Sequence, residues 1–323
     1  MAELTGRLAA ATPREASAER AQPSWAWRRT WPSLSLPVAM AFAWVGLLVF
    51  LALLGPAMTP HDALRQNLMT RNVPPVWMAG GSWDHVFGTD QIGYDILSRV
   101  MVSVRPTLVI GVLASLIALI TGTLLGMIAG YFRGPTDGVI MLLADSQLAT
   151  PYLVIAIAAV AAFGRSITLL ILLAGLSGWM AFARTVRSRV LSLRSQEFVE
   201  SSRALGAGEF RILRHHILPN TASIVIVLIT IQFRALILFE AALSFLGLGV
   251  PPPQPSWGSM INDGRDYLLS AWWISVIPGI ALTLTVLAVS LIGDWLRDAL
   301  DPRFRATQAR QPDRRREPAA ASP

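Results

Sequence analysis

Residues Ser195 to Asn220 read SQEFVESSRALGAGEFRILRHHILPN, a polar stretch set between two long apolar runs. Ser195 stands as a capping residue, and Glu197 and Glu200 fall in the first turns, where a carboxylate meets the positive end of a helix dipole. The spacing predicts a helix from Ser195 to Leu205. Gly206-Ala207-Gly208 breaks it, and a second short basic helix is expected from Glu209 toward Pro219. A connection between spans needs only a few residues, so a helix–glycine–helix unit here is read as a presented surface. The plainer alternative is an amphipathic hairpin lying in the membrane interface.

The flanking runs set the class. The chain has 323 residues, 53% hydrophobic and 15% charged, whereas soluble domains carry about 25% charged residues. Its charges lie between apolar blocks, which describes a polytopic membrane protein. The net charge of +7 is carried by arginine, for there is no lysine. The arginines flank apolar spans, so they report topology rather than nucleic-acid binding. With no cysteine there is no disulfide, no thiolate nucleophile and no cysteine metal site. A Walker A loop needs a lysine on the phosphates, so any ATP that drives this chain is bound by another polypeptide.

Residues 1–36 are rich in Ala, Arg, Ser and Pro and read as a disordered cytoplasmic tail. Trp25, Trp27, Arg28, Arg29 and Trp31 anchor its end at the interface. Pro37 to Gly55 is an uncharged run of 19 residues, about 28 Å as a helix and long enough to span. Residues 56–105 form an external segment. Within it, Ile96, Leu97, Val100, Met101 and Val104 make one helical stripe, so Asp95 to Arg105 is expected to lie along the membrane surface. Residues 106–293 hold five further spans: Pro106 to Gly130; Val139 to Phe163, interrupted by Asp145, Gln147 and Pro151; Ser166 to Ala183; Thr221 to Leu248; and Trp272 to Gly293. Residues 294–323 are a basic cytoplasmic tail.

Arginine counts orient the spans. Five lie in the N-terminal tail, one at Arg133, seven from Arg184 to Arg214 and seven from Arg297 onward, against six in the external segments. The positive-inside rule therefore gives both termini inside. The expected fold is all-α: six transmembrane helices, N-in/C-in, an amphipathic surface helix before the second span and a cytoplasmic loop at 195–220.

Charged residues within spans are candidate path residues, because a charge at mid-membrane costs about 2.5–3.5 kcal/mol on insertion scales. Asp145, Arg234 and Glu240 qualify, lining either a translocation path or a subunit interface. Arg234 and Glu240 are six apart, roughly 240° around a helix, and do not simply pair; a structural ion pair with another helix is the competing reading of Arg234. Gly175-Leu176-Ser177-Gly178 resembles a protease nucleophile motif, but the four histidines, His61, His85, His215 and His216, all lie outside apolar runs. Helix packing is the expected role, and no catalytic residue is assigned. Asp84, His85, Asp90 and Asp95 fit no standard metal spacing. Turn and cap chemistry is expected there, and no metal site is assigned.

Four stretches carry a family resemblance. Glu200-Ser201-Ser202, Gly206 and Ile217-Leu218-Pro219 resemble the "EAA" loop of ABC-importer permeases, with serines where that family usually has alanines and His216 before the Ile-Leu-Pro run. Gly88-Thr89-Asp90, Gly93 and Asp95 form a GTDxxGxD pattern similar to the dipeptide/oligopeptide/nickel permeases, with Tyr94 where arginine is frequent. EAALSFLGLGVPPPQPSWGSMINDGRDYL from Glu240 and GDWLRDALDPR from Gly293 complete the set. The resemblance covers about Pro37 to Arg305. It implies an inner-membrane permease of a bacterial or archaeal importer, itself no enzyme and without a cofactor, moving peptides, a nickel chelate or a glutathione-like solute. Its implied partners are membrane lipid, a second homologous permease, an extracytoplasmic binding protein and two ATPase subunits that bind ATP and Mg. The loop residues implied to dock on the ATPase are Phe198, Glu200, Ser201, Ser202, Leu205, Gly206, Phe210, Leu218 and Pro219. An ATP-independent channel or secondary transporter, and a structural scaffold, are the alternative classes; no internal repeat supports the secondary transporter.

Overall fold

The computed structural model describes residues 34–300. The expectations for residues 1–33, including Trp25, Trp27 and Trp31, and for 301–323, including the end of GDWLRDALDPR, lie outside the described residues. In chain order the helices are α1 (Leu36–Met58), α2 (Ile96–Phe132), α3 (Gly134–Ala149), α4 (Tyr152–Phe163), α5 (Ile167–Arg194), α6 (Glu197–Ala204), α7 (Glu209–Ile212), α8 (Leu218–Phe245), α9 (Trp257–Gly264) and α10 (Trp273–Leu300). Among the described residues the one extended pairing is an isolated bridge between Thr89 and Asp95. Five helical rods are long and apolar enough to cross a membrane: α1, α2, α5, α10 and the rod Glu209–Phe245 that contains α8.

The core is the pair α2 and α5. A Cβ built at Gly122, Gly126 or Gly130 would come within 3.0 Å of the carbonyl oxygens of Trp179, Ala183 and Arg187 respectively. Four-residue spacing of glycine brings these two backbones into direct contact, the small-residue packing familiar from membrane helices. Both numbers rise together along the contact, so α2 and α5 run parallel. The chain between them must therefore return. It does so through α3, which packs with Ala129, Trp179 and Ala183, and α4, which packs at the other end with Ile110, Leu170 and Leu173.

That return is not one straight span. α3 and α4 are bent by 85° at Thr150-Pro151, where Thr150 is extended (φ −104°, ψ 130°). The residue before a proline is disfavoured in the helical region, and proline lacks the N–H that would continue the ladder.

The surface helix expected over Asp95 to Arg105 is also corrected: those residues are the first turns of α2, which continues through Pro106. The stripe meets protein. Ile96 packs with Met260, Trp273 and Ile274, and Val104 with Leu48, Trp257 and Ala281. The indole N–H of Trp257 donates to the Val100 carbonyl (3.2 Å) and that of Trp44 to Thr285 Oγ1 (3.1 Å), which tie α9 to α2 and α1 to α10.

Candidate functional site

The helix–glycine–helix unit sits against the end of the α2–α5 pair. α6 starts at Glu197 after Gln196. Ser195 does not cap it; Ser195 ends α5, and its hydroxyl donates back to the Ser192 carbonyl (3.3 Å). α6 ends in a two-bond glycine motif: Gly206 N–H donates to Arg203 O (3.0 Å) and Ala207 N–H to Ser202 O (3.1 Å). Gly206 has φ +81°, a conformation glycine adopts without the Cβ clash that penalises other residues.

Beyond the break the expected short helix is instead the beginning of the fifth rod. α7 leads through a π turn, Leu213–Ile217, into α8, and Pro219 lies in its first turn. Pro219 does not terminate the helix. Its ring would meet the carbonyl of His215 in a regular helix; the wider π turn falls on that residue, and Leu218 N–H reaches back five residues to Leu213 O.

The unit has two faces. Val199, Ile212, Leu213 and Ile217 are buried with Met127, Tyr131, Val186, Val190 and Leu193 from α2 and α5. On the other side Phe198 is 39%, Phe210 76% and Leu205 89% exposed. Glu200, Ser201, Leu218 and Pro219 are exposed as well. A polar brace joins the two short helices to α2: the Tyr131 hydroxyl donates to the Glu209 carboxylate and accepts from the Arg203 guanidinium (3.1 Å). Arg203 lies 3.8 Å from Glu209, and Ser202 Oγ meets His216 Nε2 at 3.2 Å. Tyr131, Arg203 and Glu209 were missed from the sequence. Tyr131 reads there as an ordinary aromatic at a turn.

The charged residues of the spans do not converge. Asp145 on α3 pairs with Arg184 on α5, both well exposed. Arg234 donates to Ser290 Oγ on α10 (3.0 Å). Glu240 is buried and accepts from Ser244 Oγ (2.6 Å). Among the described residues no ion pair involves Arg234 or Glu240. Ser177 donates to Ala174 O (2.7 Å), while Gly175 and Gly178 lie against Ile117 and Ala118. That is helix packing.

At the opposite end the GTDxxGxD stretch is a locked turn. Asp90 Oδ1 accepts from Ile92 and Tyr94 N–H (3.0 and 2.9 Å), and Oδ2 pairs with Arg99 (2.7 Å). Arg99 stacks over the Tyr94 ring at 4.5 Å and stands 3.7 Å from Asp263. Burial pushes the Asp263 carboxyl above the usual carboxylate range; Arg99 pulls it down and Asp90 pushes it up. Asp95 caps α2, accepting from Ser98 N–H (2.8 Å). A polar cavity of about 330 Å³ opens among Gln66, Tyr94, Arg99, Arg165 and Asp263. The fold also brings His61, from the far end of the segment, beside His85 and Asp95.

Comparison with known proteins fits this geometry. Residues 122–306 match the family described as binding-protein-dependent transport system inner membrane component. The chain is 39% identical over 282 residues to the dipeptide transport system permease protein DppC of Bacillus subtilis, covering 87% of this chain and 85% of the relative. It is 40% identical over 259 residues to a di/tripeptide transport system permease protein of Pseudomonas aeruginosa, covering 80% and 86%. It is 37% identical over 282 residues to the glutathione transport system permease protein GsiD of Pectobacterium atrosepticum, covering 87% and 92%. The fold is similar to a chain from inward-facing conformations of the MetNI methionine ABC transporter, with TM-score 0.53, 16% identity and coverage of 63% of this chain and 96% of that one. An all-helical membrane chain matched by the family over residues 122–306, and by these relatives over most of its length, belongs to the binding-protein-dependent inner-membrane components, the dipeptide-type permeases of ABC importers.

Proposed function

We propose that this permease is one half of the membrane channel of a peptide importer, and that its 195–220 unit is the lever through which separate ATPase subunits drive it. The observation that carries this reading is the division of the unit into two faces. Val199, Ile212 and Ile217 grip the α2–α5 pair, while Leu205 and Phe210 stand free and Phe198, beside the His216 ring, is partly exposed. Large apolar side chains held in water on a rigid element are what a docking groove on a partner buries. ATP and Mg belong to those partners, which supply the hydrolysis; this chain contributes the rigid coupling. Because α7 and the π turn run unbroken into α8, displacement of the unit reaches that span directly. Only 11% of the apolar window of this rod is buried, against 39% for α2 and α5, which leaves a side free for a second homologous permease or the path.

The topology in this reading has six spans with both termini inside, α3 and α4 serving together as the third. The parallel run of α2 and α5 and the arginine distribution support it. The chain sits in a bacterial or archaeal inner membrane and receives its solute from an extracytoplasmic binding protein. The solute class is peptides or a related small solute such as a glutathione-like molecule or a nickel chelate. Asp145, Arg234 and Glu240 act at helix seams or the partner interface. The test is Leu205→Asp combined with Phe210→Ala in vesicles holding the assembled transporter. Truncating central apolar anchors costs at least about 2 kcal/mol each at well-packed interfaces, roughly 30-fold in affinity. ATPase binding and uptake should fall together while the variant still inserts; unchanged uptake would sink the lever.

A further inference from the structure

We propose that His61, His85 and Asp95 form a binding site for one divalent transition-metal ion of the zinc class. The three side chains come from separate parts of the chain: His61 follows α1, His85 ends a short turn, and Asp95 opens α2. One ligand atom from each lies within 4.8 Å of the others. Asp95 is divided between two tasks. Its Oδ2 accepts from Ser98 N–H (2.8 Å) and Ser98 Oγ (2.7 Å), which fixes the carboxylate. Its Oδ1 faces both imidazoles, 2.9 Å from His85 Nδ1 and 4.0 Å from His61 Nδ1. The rings lie side by side, centroids 4.6 Å apart and tilted by 34°.

A second, independent observation points to a ligand. His61 Nδ1 is shut off from solvent and has no hydrogen-bond partner, although the remainder of the ring is partly open. A buried nitrogen without a partner is costly, and most such atoms in folded proteins are satisfied. The His61 backbone is itself held, donating to Ser98 Oγ (3.1 Å), so the ring is set beside the carboxylate. Tetrahedral zinc, with bonds of about 2.0–2.2 Å, sets its donor atoms roughly 3.3–3.5 Å apart. The two separations to Asp95 Oδ1 bracket that spacing, and side-chain rotations that bring the three donor atoms in from within 4.8 Å would close the shell. On binding, His85 gives up the Nδ1 proton it now donates to Asp95, and the carboxylate exchanges that hydrogen bond for the ion. Two imidazoles and one carboxylate suit zinc or its neighbours, and a fourth position stays open for water. Calcium and magnesium, which need six or more oxygens, do not fit. A bound ion would staple the segment after α1 to the first turn of α2.

The experiment titrates zinc into the full-length, tag-free protein in detergent against a chromophoric zinc chelator, with magnesium as the control. One zinc per chain and a raised unfolding temperature with zinc alone are expected. His61→Ala keeps the Asp95 cap and the His85 hydrogen bond, so its unfolding temperature without zinc should match the parent. Its zinc affinity should fall by at least the roughly 10–100-fold that even an outer-shell partner is worth. His85→Ala should do the same, and cobalt bound by the parent should give the absorption of a four-coordinate ion. Absence of zinc binding in the parent overturns the proposal. So does undiminished binding in both His61→Ala and His85→Ala, which would send the ion to His215 and His216.

Discussion

The two ends of this permease solve opposite problems. At the GTDxxGxD end charged groups are turned inward and paired: Asp90 takes two backbone N–H groups and Arg99, and Thr89 accepts the Trp273 indole N–H on its carbonyl (3.0 Å). At the 195–220 end apolar groups are turned outward and left uncovered. Buried charge must be paired, because an unpartnered one is expensive, whereas exposed apolar surface costs little until a partner can remove it from water. The first end pairs its buried carboxylates within the chain. The second is built for something else to complete it.

Substitutions that confuse the two ends test this contrast. The largest effect is expected from Asp90→Ala, which removes the fully buried carboxylate paired with Arg99 and leaves the guanidinium only the more distant Asp263 at 3.7 Å. Breaking a buried pair costs about 3–5 kcal/mol, so the unfolding temperature of the purified chain should drop steeply and its yield with it. Gly206→Val comes next. Left-handed backbone costs a side-chain-bearing residue about 1–2 kcal/mol, more for a β-branched one. Uptake should fall with insertion intact, and Gly206→Asn should be nearly normal in the same assay, since asparagine tolerates this cap. Tyr131→Phe removes the hydroxyl between Glu209 and Arg203, worth about 1 kcal/mol for a net hydrogen bond. Solute moved per ATP should decline with little change in thermal stability; an unchanged ratio would show that the brace carries no force.

The smallest effect concerns pH. Burial holds the Asp263 carboxyl above its ordinary range, so the folded chain binds that proton more tightly than the unfolded chain. Its contribution to stability is full below the ordinary carboxylate pKa and is lost as pH rises through the raised one. Asp263→Asn should flatten that part of the curve in thermal melts taken across mildly acidic pH. A slope equal to the parent's would assign it to another group.

The spans were legible because long apolar runs bounded by arginine admit few other readings. The break at Gly206 was legible for a local reason: the conformation is set by the residue itself. What escaped depends on neighbours far along the chain. Ser195 has the chemistry of a cap, but α5 runs on to Arg194 and claims it as its own terminus. Pro219 looks like a stop, and only the π turn before it lets the rod continue. The stripe at Ile96 and Val104 has the period of a surface helix; α1, α9 and α10, not lipid, cover it. Arg234 and Glu240 stood out as charges in an apolar run, yet their partners, Ser290 and Ser244, are serines among many. His61 was passed over because reading spacing around His85 never reaches so far upstream.

The glycine seam between α2 and α5 has a mechanical corollary. Where main chain lies on main chain there is no rotamer to switch and no side chain to repack, so the two rods can only travel as one piece. Any opening and closing during transport must be absorbed at looser joints, such as the bend at Pro151 or the bare flank of α8.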